Sequence, residues 1–258
     1  MEENSITVVI PARMASSRYP GKPLAKIIGL PLIEHVRRRA LLNNTVDLVV
    51  VATCDLEIKD VVESAGGKAV MTKNTHERCT DRIEEAIQTL SGDIIVMVQG
   101  DEPLLVPEAI SNVIGPLLSD PGVDIVNLLS PLESADDYSN SNIVKAACNL
   151  KGDIMFFSRA PIPYFRENVD VPVYRQTGIM AFRREILNRF SSLAETPFER
   201  AESVDMFRAL EHGLRIAGVL VNYSTIGVDR PGDVGIVETV LKNDKLQNGL
   251  FNQINDKN

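Results

Sequence analysis

The chain of 258 residues carries 35 acidic against 27 basic side chains, for a formal net charge of −8, and 44% of its residues are hydrophobic. That length and apolar content suffice for a large core, and the acidic balance excludes general affinity for nucleic acid or an anionic membrane surface. Three scattered cysteines show no metal-ligand spacing, residues 1–5 are short and polar, and no apolar run reaches the length of a bilayer span, so a cytoplasmic protein is expected.

In chain order, apolar β-branched runs alternate with helical patterns. Strands are expected at Ile6–Ile10, Val46–Ala52, Lys68–Met71, Asp93–Val98 and Asp124–Leu129. Between them fall helices at Leu30–Leu42, Leu56–Ala65, Asp81–Leu90 and Pro107–Leu118. Continuous apolar strands separated by amphipathic helices predict an α/β fold, a mostly parallel, doubly wound sheet covered on both faces. The second half reads differently, with strands at Asn142–Cys148 and Ile154–Phe157, a Pro-containing loop over 158–176 and a short strand at Gly178–Phe182. Helices follow at Arg184–Phe190 and Phe198–Glu211, then a strand at Leu214–Val221 and a helix at Gly232–Lys245. One domain over 1–250 with a β-rich insertion at about 130–180 is expected, and the polar end, Asn248–Asn258, is expected to fray, leaving 251–258 as a tail.

Three strand ends carry candidate chemistry. After Ile6–Ile10 comes "IPARMASSRYPGKPL" (Ile10–Leu24), where Arg13 and Lys22 flank small residues and loop N–H groups complete an anion cradle suited to a triphosphate. The loop is not a P-loop, because no Ser or Thr follows the lysine. In "VMVQGDEP" (Val96–Pro103) a buried strand ends in Gln99, Asp101 and Glu102, and an Asp there can hold Mg²⁺ against phosphate oxygens. In "IGVDRP" (Ile226–Pro231) Asp229 is placed equivalently. The plainer readings are a solvated basic loop for the first motif and helix caps or turn acids for the other two.

Together with "NIVK" (Asn142–Lys145), "FFSRAPIPY" (Phe156–Tyr164), "GIMAFRR" (Gly178–Arg184) and "GVDRP" (Gly227–Pro231), these motifs resemble the 3-deoxy-manno-octulosonate (Kdo) cytidylyltransferases over residues 6 to about 240. The resemblance implies a nucleotide-diphospho-sugar transferase-like fold and a homodimer whose insertion forms the sugar side and the dimer contact. It implies attack of an anomeric hydroxyl on the α-phosphate of CTP, with a CMP-sugar and pyrophosphate as products. Arg13, Lys22 and Asp101 would be catalytic, and Asp101 and Asp229 would hold Mg²⁺. Ala12, Thr80, Asp81, Arg82 and Gln99 would line the nucleotide. Gln99, Gln176, Glu199, Glu202 and Asp205 would face an acidic sugar.

The chain departs from the family pattern at informative places. Arg78 and Cys79 stand where the family has Ser and Gly, Gln176 where it has His, and Asp205-Met206 where it has Glu-Gln. These changes leave the acceptor open among Kdo, an amino-Kdo, a nonulosonate or a phosphonate, and a non-catalytic nucleotide-binding subunit is the alternative class. His35, His212, Cys54 and Cys148 are read as structural or solvated. Phe156, Phe157 and Tyr164 are expected to pack the insertion, and Glu133–Asn142 to be a solvated face.

Overall fold

The computed structural model describes residues 4–16, 18–132, 134–167, 169 and 171–255. Ser17 of the opening loop, Glu133 of the expected polar face and 256–258 of the expected tail lie outside the described residues. The chain divides into two compact units, one formed by Met1–Ser111 with Thr225–Asn258 and the other by Asn112–Ser224.

The first unit begins with β1 (Ile6–Ala12) and a small hairpin of β2 (Lys26–Ile27) and β3 (Leu30–Pro31). Then follow α1 (Leu32–Ala40), β4 (Leu48–Thr53), α2 (Leu56–Ser64), β5 (Lys68–Met71), α3 (Cys79–Ile87) and β6 (Ile94–Val98). Strands β6, β1, β4 and β5 lie in that order and pair in parallel. Every residue of β1 and β6 is buried, as a sheet covered on both faces requires. The register sets Val8 between Val49 and Val96, so the Val/Ile runs form one continuous apolar layer. The chain winds outward through β4 and β5 and then returns to the far side of β1. The space beyond the carboxyl ends of β1 and β6 is therefore the switch point, where open α/β sheets bind ligands.

Helix α1 turns Leu32, Ile33, Val36 and Ala40 inward, the spacing seen in the sequence. His35 is fully buried too, stacked at 5.5 Å on Phe251 and bonded through Nε2 to the Ile27 carbonyl at 2.9 Å. After α4 (Glu108–Ser119), which runs from this unit into the next, the later elements α9 (Asp233–Asn243) and α10 (Lys245–Asn255) return to the first unit. The expectation of a frayed end from Asn248 is corrected by α10. Leu250, Phe251 and Ile254 are buried there, and Arg38 donates to the Ile254 carbonyl at 3.0 Å. The apolar residues recur at helical spacing, and their burial outweighs the polar composition.

The second unit holds β7 (Ile125–Pro131), α5 (Ala135–Ser139), β8 (Lys145–Cys148), β9 (Ile154–Ser158), β10 (Tyr174–Arg183), α6 (Arg184–Ser192), α7 (Pro197–Glu202), α8 (Met206–Glu211) and β11 (Ile216–Leu220). Strand β11 pairs with β7 in parallel, whereas β10 pairs antiparallel with β7 and β8, and β8 with β9. Three expectations change. Strand β10 begins at Tyr174 rather than Gly178, because Tyr174, Arg175 and Gln176 find ladder partners in β7. The helix expected over Phe198–Glu211 is two helices. Ser203 takes a left-handed conformation (φ 53°), and the Glu202 and Ser203 carbonyls accept from Arg159 instead of continuing the helix. Tyr164, expected to pack, is 88% exposed, whereas Phe157 is buried edge-on to Phe207. Helix α5, in the expected solvated stretch, buries no residue. Among the described residues no helix is long and apolar enough to cross a membrane.

Candidate active site

Parallel pairing makes β1 and β6 end on the same edge of the first unit's sheet, so the loops that follow them are neighbours. Gly100 permits this closeness, since a Cβ there would sit 2.8 Å from the Pro11 carbonyl oxygen. The basic loop after β1 is fixed at its base. The Met14 N–H donates to Asp55 Oδ2 at 2.7 Å, and the Gly21 N–H returns to the Met14 carbonyl at 3.0 Å. Gly21 has φ 75°, a value an L side chain resists, and the following short 3₁₀ turn directs Lys22 inward.

Lys22 gathers two carboxylates that are distant in sequence. Its Nζ lies 2.7 Å from Asp101 Oδ2 and 3.8 Å from Asp229 Oδ1, and Arg18 Nη2 reaches the same Asp229 oxygen at 2.9 Å. The Asp229 segment is anchored by Asp233, whose Oδ2 accepts the N–H groups of Asp229 and Arg230 at 2.8 and 2.7 Å. Asp229 is thus no helix cap: α9 starts at Asp233, and its N-cap position is Gly232.

These loops open onto a cleft of about 350 Å³, also lined by His76–Cys79, Arg82 and Gln99–Asp101. Arg13, Arg18, Lys22, Arg78 and Arg82 line it against the carboxylates of Glu77 and Asp101, so a chain of net charge −8 concentrates positive charge here. Ala12, Arg13, Lys22, Arg82, Gln99 and Asp101 are brought together as expected. Thr80 and Asp81 are not among the described lining residues, and Thr80 is buried in the first turn of α3. Arg82 lines the cleft while its guanidinium is tied to Thr72 Oγ1 and the Lys73 carbonyl. Cys79 Sγ approaches Gln99 Oε1 at 3.4 Å. Arg78 has extended backbone and Cys79 opens α3, so neither position needs a glycine's conformational freedom. His76 bonds Glu85, and that bond, with help from the Lys73 N–H, holds the Glu85 carboxyl below the usual carboxylate range.

Of the residues expected at the sugar, Gln99 lines the cleft of the first unit, whereas Gln176, Glu199, Glu202 and Asp205 lie in the second unit. Gln176 Nε2 donates to Asn127 Oδ1 at 2.9 Å, and the buried Asn127 amide spans carbonyls of Leu128, Thr177 and Ile179 at the irregularity of β10. Glu202 accepts from Ser158 Oγ and the Arg159 N–H, both at 2.8 Å. Asp205 precedes the first turn of α8. Glu199 requires a correction. It is fully buried, its two oxygens taken by Arg208 at 2.6 and 2.9 Å, so this carboxylate closes an internal ion pair instead of facing a ligand. Met206 is fully buried as well. The sequence motifs assign a role to Arg13 and Lys22 but to neither Arg18 nor the loop anchor Asp55. Arg18 was visible as the third cation of the same loop, whereas nothing in sequence marked Asp55.

Cations and carboxylates that share a cleft at a parallel switch point suit a nucleoside triphosphate accompanied by a divalent cation, the substrate pair of nucleotidyltransferases. Comparison with known proteins gives the family. The cytidylyltransferase family model matches residues 7–216, and the chain belongs to that family. It is 42% identical to the 3-deoxy-manno-octulosonate cytidylyltransferase of Pelobacter propionicus, covering 89% of this chain and 94% of that one. It is 44% identical to the protein of the same name from Myxococcus xanthus, over 94% and 98% of the two chains. A solved CMP:2-keto-3-deoxy-manno-octonic acid synthetase complexed with CTP superposes with a TM-score of 0.88 at 38% identity, over 92% of this chain and 98% of that one. A 4-diphosphocytidyl-2C-methyl-D-erythritol synthase from Anaerococcus prevotii shares the fold alone, with a TM-score of 0.64 at 14% identity over 93% and 100% of the two chains. The α/β class expected from the strand–helix alternation is the class of these structures.

Proposed function

We propose that this chain transfers CMP from CTP to the anomeric hydroxyl of Kdo and releases pyrophosphate. The observation that carries the reading is the meeting of Asp229 with Lys22 and Asp101, the latter two lining the switch-point cleft. Among the acceptors left open by the sequence, Kdo is favoured by relatives of this similarity that bear its name.

In this reaction an oxygen–phosphorus bond forms at the α-phosphate while the bond from that phosphorus to the bridging oxygen breaks, and the hydroxyl proton is lost to solvent. Such transfers require alignment and charge neutralisation rather than a protein nucleophile. Arg13 and Lys22 neutralise the triphosphate, Lys22 as a compact charge and Arg13 as a planar fork. Gln99, Ala12 and the start of α3 border the nucleotide. Two carboxylate oxygens brought together by one ammonium form a hard oxygen donor set, which fits Mg²⁺. Asp101 and Asp229 would hold it, and bound there it supplies charge neutralisation at the phosphate oxygens. On the acceptor side, Gln176 and Asp205 contact the sugar. Glu202 positions Arg159, and Glu199 fixes Arg208.

A homodimer, implied by the family resemblance, is supported by the exposed apolar side chains Met155, Phe198 and Leu220 of the second unit. A cytoplasmic location is part of this proposal, because it would supply the reaction with CTP. The test is pyrophosphate release with Kdo and each nucleotide in turn. CTP should exceed UTP, because a pocket matched to cytosine opposes uracil by exchanging a donor for an acceptor, and both should exceed the larger purines. Preference for ATP, or no release with CTP and Kdo, would overturn the proposal.

A further inference from the structure

The ion pairs at the cleft rim join groups that each have a different partner in the proposed reaction. Arg18 and Lys22 are the cations a triphosphate attracts, yet they are bonded to Asp229 and Asp101, the carboxylates a divalent cation attracts. A single Asp229 oxygen serves both cations, at 2.9 and 3.8 Å. A divalent ion on that oxygen would stand within a few ångströms of the guanidinium and be repelled by it. Lys22 has little freedom to leave, being 14% exposed and set by the turn at Gly21. Arg18 differs. Its pair with Asp229 is about half exposed on both sides, and Arg18 sits on the arm between the fixed residues Met14 and Gly21.

We propose that Arg18 is an exchange residue. It occupies Asp229 until a polyphosphate draws the guanidinium away, so the nucleotide and the divalent cation bind with positive coupling. Rotation of one exposed side chain accomplishes the exchange. Linkage makes the effect reciprocal, so a metal on Asp229 frees Arg18 and strengthens polyphosphate binding. This inference rests on the proposed reading of Asp229 as a metal carboxylate.

The test compares the parent protein with Arg18→Gln and Arg18→Lys in two binding measurements made without turnover. The first is Mn²⁺ binding without nucleotide, read by water proton relaxation. The second is CTP binding in EDTA, read by calorimetry. Arg18→Gln should bind Mn²⁺ about two- to fivefold more tightly, the worth of an exposed ion pair, and should bind metal-free CTP more weakly. Arg18→Lys should stay near the parent in both. The Mn²⁺ gain should vanish when Asp229→Asn is added, because the competition then has no object. Mn²⁺ binding by Arg18→Gln no tighter than by the parent overturns the exchange, as does a gain that persists alongside Asp229→Asn. Neither result touches the assigned reaction if the parent releases pyrophosphate from CTP and Kdo. A parent without that activity fails the function instead.

Discussion

The backbone N–H of Val228 donates to the carbonyl oxygen of Asp101 at 2.9 Å. This bond joins a segment near the chain's end to the loop after β6, and it sets Asp229 beside Asp101 with Lys22 between them. The gathering of the two carboxylates is therefore a backbone property that survives changes in either side chain. Asp101→Asn and Asp229→Asn should each retain the folded far-ultraviolet spectrum and thermal midpoint within a few degrees, while kcat falls by about 10² or more. Either variant turning over like the parent at saturating Mg²⁺ would remove that residue from the site.

Gln176 gives a prediction at the acceptor end. Its amide donates to the buried Asn127, so replacement by Leu leaves the Asn127 oxygen without that donor and, on the proposed reading of Gln176, removes a polar contact to the sugar. Gln176→Leu should cost about 1–3 kcal/mol in kcat/KM for Kdo, roughly one to two powers of ten, with the KM for CTP little changed. Parallel titrations of Kdo and CTP decide it, and a rise in the CTP KM of the same size would move Gln176 out of the acceptor site. Met206 is no tool for altering acceptor choice, because Met206→Gln would bury an amide in the core.

The Glu199–Arg208 pair makes a prediction about stability alone. Both side chains are buried, the guanidinium also lies 4.9 Å from the centre of the Phe190 ring, and Glu199 accepts from the Thr196 N–H at 3.3 Å at the start of α7. Glu199→Ala leaves a buried cation without its partner, which costs about 3–5 kcal/mol. Urea unfolding should show a midpoint lowered accordingly. A loss below about 1 kcal/mol would mean that water reaches Arg208 in the folded chain.

His35 makes stability depend on pH. Burial, with Arg39 and Arg38 adding to it, lowers its pKa from 6.5 to about 4. The unfolded chain then takes up a proton as pH falls through about 6.5, while the folded chain stays neutral until about 4. The contribution is fully present above that window and is lost as the pH drops, reaching about 2 kcal/mol of loss near pH 5. His35→Phe keeps a ring against Phe251 and removes the titration. Its unfolding free energy should fall less between pH 7.5 and 5 than the parent's, and equal slopes would show that His35 is solvated.

Much of the first unit was legible in the sequence because burial on both faces of a parallel sheet leaves continuous Val/Ile runs that few other structures tolerate. β1, β4, β5 and β6 fall within two or three residues of their expected bounds, and the loops after β1 and β6 declare themselves by placing charge directly after such runs. What sequence left open concerns partners. Helix α10 reads as a polar tail because only four of its residues are large and apolar, and the burial of three of them depends on α1 and on Phe251 meeting His35. A charged side chain reads the same in sequence whether it ends in water or in an ion pair. Glu199 reads as a ligand group in sequence, and only packing shows that Arg208 consumes it. Arg18 and Asp229 are 211 residues apart, and their bond is decided by the fold, which brings the ends of distant segments to one cleft. Local pattern determines which segments become strands and helices; which charges meet is set by tertiary contacts that no spacing in the chain encodes.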